Sequence, residues 1–182
     1  KMNTKTPKVS ARKVFIRELV NQLLTWSQNH ESENLGQRFA IMPLRDILAV
    51  REVVVNDGQH SILVDGLLEG LKHIKPRVRY NCAVALDHLA DERCTEPLRQ
   101  LLNDPVARVR RAALHSLSCD ACKVSPLPDP DDLTETLIEM AMSDSSIRVR
   151  RTAVASLAEN CDARTIPILK VLLEDDDVAI QR

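Results

Sequence analysis

The chain has 182 residues with 44% hydrophobic and 28% charged residues, values typical of a globular protein with its own core rather than of a disordered chain. Only 2% of the residues are aromatic and only four are glycine, which favours helices over a β-sandwich or barrel. With a net charge of −1, the chain as a whole has no electrostatic attraction to nucleic acid or anionic lipid. No run approaches the roughly 18 apolar residues of a membrane helix, so we expect a cytoplasmic protein with no membrane partner.

The first 58 residues are predicted to precede the main body of the fold. Residues 1–9 are polar, lack the apolar core of a signal peptide and are expected to be flexible. Ser10 then N-caps a predicted helix, and a second predicted helix opens at Pro43. We assign residues 10–58 to a divergent helical cap that closes the N-terminal end of the structure.

Residues 59–182 contain an internal repeat built around the tripeptide Arg-Val-Arg. Its valine recurs as Val78, Val109 and Val149, with spacings of 31 and 40 residues. Small residues follow four and seven positions later and a leucine follows eight positions later, so these positions share one face of a helix. A second apolar helical segment precedes each anchor valine. Each unit is thus predicted to be an antiparallel helix pair that buries its apolar faces only when units stack.

The predicted units differ in length. They are assigned to residues 59–90, 91–118, 119–160 and 161–182, and the last of them is truncated. The spacing of 40 instead of 31 leaves nine extra residues in the third unit. These lie near residues 119–131, where several prolines predict an irregular loop insertion.

This pattern resembles the HEAT-repeat family, in the short form of about 31 residues that is named after phycobilisome lyases. The resemblance rests on Pro97 and Pro167 in first helices, on Asp104, Asp144 and Asp175 in the turns, and on the Val-Arg pair that opens each second helix. It implies an all-α fold, a right-handed α-α superhelix or solenoid whose second helices line a concave groove. It says little about activity, because the family includes scaffolds, adaptors, lyases and hydroxylases.

The repeated arginines predict a ladder of ion pairs along the stack. Arginine in the first turn of a helix opposes the helix dipole, so these side chains need partners. We expect the arginine after each anchor valine to meet a turn aspartate of a neighbouring unit, while the aspartate also caps the second helix. The predicted ladder consists of Arg79, Asp104, Arg110, Asp144, Arg150 and Asp175.

Other positions of the second helices face away from the predicted core. Arg111 and Arg151 lie two positions after their anchor valines, with no acidic residue within a turn on their own helices. We expect both to project into the groove, available to a carboxylate or phosphate, with solvated surface charge as the alternative interpretation. The predicted partner-binding groove consists of Tyr80, Val84, Asp87, Arg111, His115, Arg151 and Ala155.

The segment from Cys119 to Cys122, with His115 one turn earlier, offers three candidate metal ligands. A lone CxxC lacks the second ligand pair of a zinc finger, so a fourth ligand would have to be brought in by folding. We therefore favour buried thiols and expect no metal, no cofactor and no catalytic residues, with this trio as the one candidate left open. The candidates for a fourth ligand are Cys94, Cys161 and Asp120.

The leading functional hypothesis is a non-enzymatic scaffold or adaptor that binds a protein or peptide with acidic residues in its concave groove. Nucleic-acid binding is the alternative, since related helical repeats grip backbone phosphates, but a chain with four aromatic residues and near-neutral charge fits it poorly. A bilin lyase-like enzyme is a lesser alternative that only the repeat type supports. The sequence leaves the identity of the partner and the oligomeric state open.

Overall fold

The computed structural model describes residues 57–123, 127, 133–160, 162–175, 177–178 and 180–181. The predicted flexible segment of residues 1–9, nearly all of the predicted cap of residues 10–58 and most of the loop insertion lie outside these described residues. The described residues are therefore those of the stacked units.

The described residues form helices and contain no strand, so the all-α prediction is confirmed. We number the helices from the first described residue, and odd and even numbers mark the first and second helices of each pair. Short 3-10 turns lie at Glu92–Cys94, Leu101–Asn103, Asp120–Cys122 and Ala163–Thr165. The helices are α1 (Asp57–Leu71), α2 (Pro76–Leu89), α3 (Thr95–Gln100), α4 (Ala107–Ser118), α5 (Leu133–Ser143), α6 (Ile147–Asn160) and α7 (Ile166–Leu172).

The second helices α2, α4 and α6 pack against one another along the stack. Their anchor valines are almost fully buried, and so are the small residues four positions later, Cys82, Ala113 and Ala153. A small side chain at this position lets the backbones of neighbouring helices approach closely, while the large apolar side chains fill the space toward the first helices. The repeat pattern read from the sequence is thus the packing pattern of the core.

Serine hydroxyls link the second helices across the unit boundaries. The buried Ser116 donates from Oγ to the carbonyl oxygen of Ala83, at 2.8 Å. Ser118 and Ser156 share a hydrogen bond of 2.7 Å between their Oγ atoms, one unit further along. These bonds satisfy polar groups inside the helix contacts and fix the neighbouring helices lengthwise.

A turn aspartate holds the connection between the two helices of a unit. Asp104 Oδ1 accepts the backbone N–H of Val106 at 2.8 Å, and Asp144 Oδ1 accepts that of Ser146 at 2.7 Å. Because α4 begins at Ala107, the carboxylate of Asp104 stabilises the turn before the helix and does not bond its first amides. The expectation that this aspartate acts as the helix cap was therefore wrong in detail.

Arg79 and Arg110 each bridge the turns of two successive units. Arg79 donates from Nε and Nη2 to the carboxylate of Asp104 at 2.6 and 3.0 Å, and from Nη1 to the carbonyl oxygen of His73 in its own unit at 2.8 Å. Arg110 bonds Asp144 in the same bidentate way at 2.8 and 2.7 Å, and its Nη1 bonds the Asp104 carbonyl oxygen.

The ladder continues into the last unit and is largely removed from water. Arg150 pairs with Asp175, whose Oδ1 accepts the backbone N–H of Asp177 at 2.9 Å. The side chains of Asp104 and Asp144 are 3% and 7% exposed. A carboxylate buried to this degree needs its bidentate partner, so the guanidinium groups hold the units in register.

Among the described helices, none combines the length and the apolar character that crossing a lipid bilayer would require.

We predict that Arg110→Ala lowers the free energy of unfolding by about 1–3 kcal/mol, because it leaves the buried Asp144 carboxylate without its charged partner. Urea denaturation followed by circular dichroism would measure the change. Arg148→Ala, which removes an exposed arginine from α6, should change stability by less than about 0.5 kcal/mol. Asp144→Asn should cost less in the Arg110→Ala background than in the natural chain, and simple additivity would contradict the ladder.

We also predict a specific acid dependence for Asp144. Burial opposes its charge, but the hydrogen bonds from Arg110 and from the Ser146 amide outweigh burial and lower the pKa of this carboxyl. A carboxyl whose pKa is lower in the folded state contributes stability above its unfolded pKa of about 3.9 and loses it as the pH falls through the folded value. The stability difference between Asp144→Asn and the natural chain should therefore be constant above about pH 5 and shrink below it. A difference that persists unchanged at pH 2 would contradict this assignment.

Candidate functional site

The face of α2, α4 and α6 that points away from the first helices carries most of the predicted groove residues. We call this surface the groove face and define it by Tyr80 and Val84 of α2, Arg111 and His115 of α4, and Ala155 of α6. Tyr80, Val84 and Arg111 are half-buried, whereas His115 and Ala155 are exposed. The structure therefore brings these residues of three successive units to one side of the stack.

A cavity of about 270 Å³ opens on the groove face between α2 and α4. Its lining combines apolar atoms with the cationic end of one arginine and the imidazole of His115. The lining residues are Tyr80, Val84, Arg111, Ala112, His115 and Thr152.

The arginine side chains near this cavity differ in the groups that they contact. The guanidinium of Arg108 lies over the ring of Tyr80, with 4.0 Å from Cζ to the ring centroid, which is cation–π geometry. Arg111 makes no ion pair within the described part of the chain. Arg151, in contrast, bonds Asp177 of the next unit, with 2.6 Å from Nη2 to Oδ1. The expectation that Arg151 is available to a partner is therefore wrong, because the following unit supplies its carboxylate.

Asp87 does not lie on the open floor of the groove, as the sequence suggested. Its side chain is 7% exposed and lies beneath His115, whose Nε2 is 3.5 Å from Asp87 Oδ2. Burial opposes the charge of Asp87, but hydrogen bonding and the charge of His115 outweigh it and lower the pKa of the carboxyl. The same hydrogen bond raises the pKa of His115 against the effect of its partial burial.

The two cysteines of the CxxC segment lie beside this pair and are half-buried rather than buried. Their Sγ atoms are 3.1 Å apart, and Cys122 Sγ is 3.8 Å from His115 Nε2. The hydrogen bond with Cys119, partial burial and the nearby Asp87 raise the pKa of the Cys122 thiol to about 12. The fully buried Cys82 thiol, by comparison, has its pKa raised to about 12 by burial alone.

The three residues proposed from the sequence as a possible fourth ligand do not join this cluster. Cys94 is buried, and its thiol contacts Asp91 at 3.9 Å. Asp120 is exposed on the 3-10 turn, and Cys161 lies outside the described residues. Asp87 takes the place instead, and no local spacing marks it, because it precedes His115 by 28 residues in the neighbouring unit.

A larger cavity of about 620 Å³ lies between the turns of the second and third units. Its charged lining includes Asp104, Arg110 and Asp144, which already bond one another or the adjacent turns in the ladder. We therefore assign this cavity to the stacking of the units and not to a ligand.

Two protein-family models match the chain. The model described as HEAT repeats matches residues 64–123, and the one described as PBS lyase HEAT-like repeat matches residues 149–175. A comparison with curated proteins finds no match. The first segment contains the ladder residues Arg79, Asp104 and Arg110, the second contains most of α6, all of α7 and Asp175, and these two parts of the chain are HEAT-like repeats.

Proposed function

We propose that this protein is a non-enzymatic scaffold or adaptor that binds a protein or peptide segment, with an acidic residue beside a small apolar side chain, on its groove face. The observation that carries the proposal is the cavity beside Arg111, because it offers an apolar floor and a cation that no described carboxylate neutralises. Such a pair of features suits an extended or helical segment whose carboxylate bonds the guanidinium.

The way the helices contact one another supports a concave binding surface. The second helices pack extensively against each other along the stack, whereas the first helices make much less contact from unit to unit. When the second helices of successive units lie closer together than the first helices, the stack curves toward the second helices. The groove face would then lie on the concave side, where several units can contact one extended partner.

The size of the cavity favours a side chain over a small molecule. Pockets for drug-sized ligands and cofactors usually enclose about 300–1,000 Å³, and they bury most of the ligand. The cavity on the groove face has about 270 Å³ and is open to solvent on one side. This size supports recognition of a peptide side chain and gives no support to the binding of a bilin.

The charge pattern supports an acidic partner. Arg108 remains exposed over Tyr80, and Arg148 is exposed at the start of α6. Together with Arg111 they place cationic groups along the edge of the groove face, although the net charge of the chain is only −1. Local cations of this kind steer and orient a carboxylate-bearing partner more than they add affinity. We further propose that the protein acts in the cytoplasm, where its cysteines would stay reduced.

We predict that peptides selected from a random displayed library on the full chain carry an acidic residue next to a small apolar one. Arg111→Glu should weaken the binding of these peptides at least tenfold, which corresponds to about 1.4 kcal/mol, because it replaces attraction with repulsion at the edge of the cavity. Fluorescence anisotropy with labelled peptides would measure the change. The thermal stability of this variant should stay close to that of the natural chain, because Arg111 makes no ion pair among the described residues.

The matched control is Lys170→Glu, which makes the same change of charge on the first helix α7, outside the groove face. It should leave peptide binding unchanged. Selected peptides that bind equally well to Arg111→Glu would contradict the proposed site. Tight binding of unrelated DNA sequences at about 0.15 M salt would contradict the proposed class of partner and favour the nucleic-acid alternative.

A further inference from the structure

Four side chains that can bind a metal ion converge where α2 and α4 end. Asp87 lies near the end of α2, His115 lies in the last turn of α4, and Cys119 and Cys122 follow directly after α4. One ligand atom from each of the four lies within 4.8 Å of the others. Two segments that are separated in the sequence, the end of α2 and residues 115–122, thus place two thiols, an imidazole and a carboxylate around one point.

Two of the three separations below lie within the range of the edges of a zinc tetrahedron, and the two Sγ atoms would have to move apart to match it. Zinc binds thiolate sulfur at about 2.3 Å and imidazole nitrogen or carboxylate oxygen at about 2.0–2.2 Å, so neighbouring ligands lie about 3.3–3.8 Å apart. The observed distances are 3.1 Å between the two Sγ atoms, 3.8 Å from Cys122 Sγ to His115 Nε2 and 3.5 Å from His115 Nε2 to Asp87 Oδ2. Only small side-chain adjustments are needed to accommodate the ion.

The carboxylate of Asp87 gives an independent reason to expect a cation here. Asp87 is 5% exposed, and its Oδ1 atom is buried without a hydrogen-bond partner among the described residues. A buried carboxylate oxygen without a donor or cation is costly, so such atoms normally have one. A metal ion held by the neighbouring thiolates and imidazole would provide the missing interaction once the carboxylate rotates to bring Oδ1 toward the ion.

We propose that Asp87, His115, Cys119 and Cys122 form a structural zinc site that joins the first two described units. Two thiolate ligands favour zinc over magnesium or calcium, which prefer oxygen. Four protein ligands leave no open position for substrate, which is the arrangement of structural zinc sites. This inference is independent of the proposed binding of a peptide, although His115 also lines the cavity on the groove face.

Neighbouring groups complete the proposed site. Lys123 donates from Nζ to the carbonyl oxygen of Cys119 at 2.5 Å, which places a positive charge near a centre whose two thiolates, carboxylate and zinc ion sum to −1. The Nδ1 atom of His88 lies 3.1 Å from the carbonyl oxygen of Cys122 and ties the 3-10 turn to α2. Groups of this kind orient the ligands and hold the turn in place.

The proposed site gives the CxxC segment a mechanical role. Zinc would tie the end of α2 to the end of α4 and to the 3-10 turn that follows it. A disulfide between the cysteines would use only two of the four groups and would leave the carboxylate and imidazole of the cluster without a role. The zinc site accounts for all four side chains.

Metal binding to the full-length chain tests the proposal. The protein is stripped with chelator under reducing conditions and titrated with Co²⁺, then with Zn²⁺ in competition. We expect one equivalent of cobalt with the visible bands of tetrahedral coordination and a thiolate charge-transfer band, and one equivalent of zinc that displaces it. Zinc should also raise the midpoint of thermal unfolding, because it binds only the folded arrangement.

Ligand variants decide whether the metal occupies this site. Cys119→Ser and Asp87→Asn should each weaken zinc binding by at least about 100-fold, since even residues that only support ligands account for 10- to 100-fold. Asp120→Asn changes an exposed carboxylate on the same turn and should bind zinc like the natural chain. Circular dichroism reports whether these variants fold. If Cys119→Ser and Asp87→Asn do not fold, His115→Gln tests the site, because His115 lies at an exposed position.

Three results would overturn the proposal. The first is the absence of cobalt or zinc binding by the reduced chain, and the second is binding that persists unchanged in Cys119→Ser or His115→Gln. The third is an equal loss of zinc in Asp120→Asn, which would assign the carboxylate ligand to the turn instead of to Asp87. A chain whose two cysteines form a disulfide, and which binds no metal after that disulfide is reduced, would also count as absence of metal binding.

Discussion

The stack depends on guanidinium groups that each bond two turns at once. Arg79 and Arg110 donate to a backbone carbonyl in the turn of their own unit and to the buried carboxylate of the next. Because each carboxylate also holds its own turn through a backbone N–H, a displaced unit would break several bonds together. The ladder therefore fixes which residues of successive second helices face each other, and both candidate sites follow from that register.

The register between units is an offset of about three residues. Arg108, one position before its anchor valine, lies over Tyr80, two positions after the preceding anchor. His115, six positions after its anchor, lies against Asp87, nine positions after the preceding one. The same offset would place Arg148 beside Arg111. One packing constraint thus produces the cationic edge of the groove face near the start of the helices and the cluster of potential metal ligands at their ends.

His115 connects the two proposals physically. Its exposed imidazole lines the cavity on the groove face, while its Nε2 atom points toward Asp87 and Cys122. A metal ion bound at that nitrogen would fix one wall of the cavity and remove an ionisable group from the groove face. The proposed binding of a partner and the proposed binding of zinc therefore share one side chain.

The sequence by itself determined the helix pairs, the buried positions and the identity of the ladder residues, because these follow from local periodicity and from repetition. The tertiary structure decided which charged side chains remain available to a ligand or partner. Arg151 looked free by the composition of its own helix, but Asp177, 26 residues away, neutralises it. Asp87 looked like a surface residue of the groove, but stacking buried it beside His115 and the two cysteines. Such pairings join residues of different units, and the register that brings them together is set by packing between helices, which no spacing within a single helix encodes.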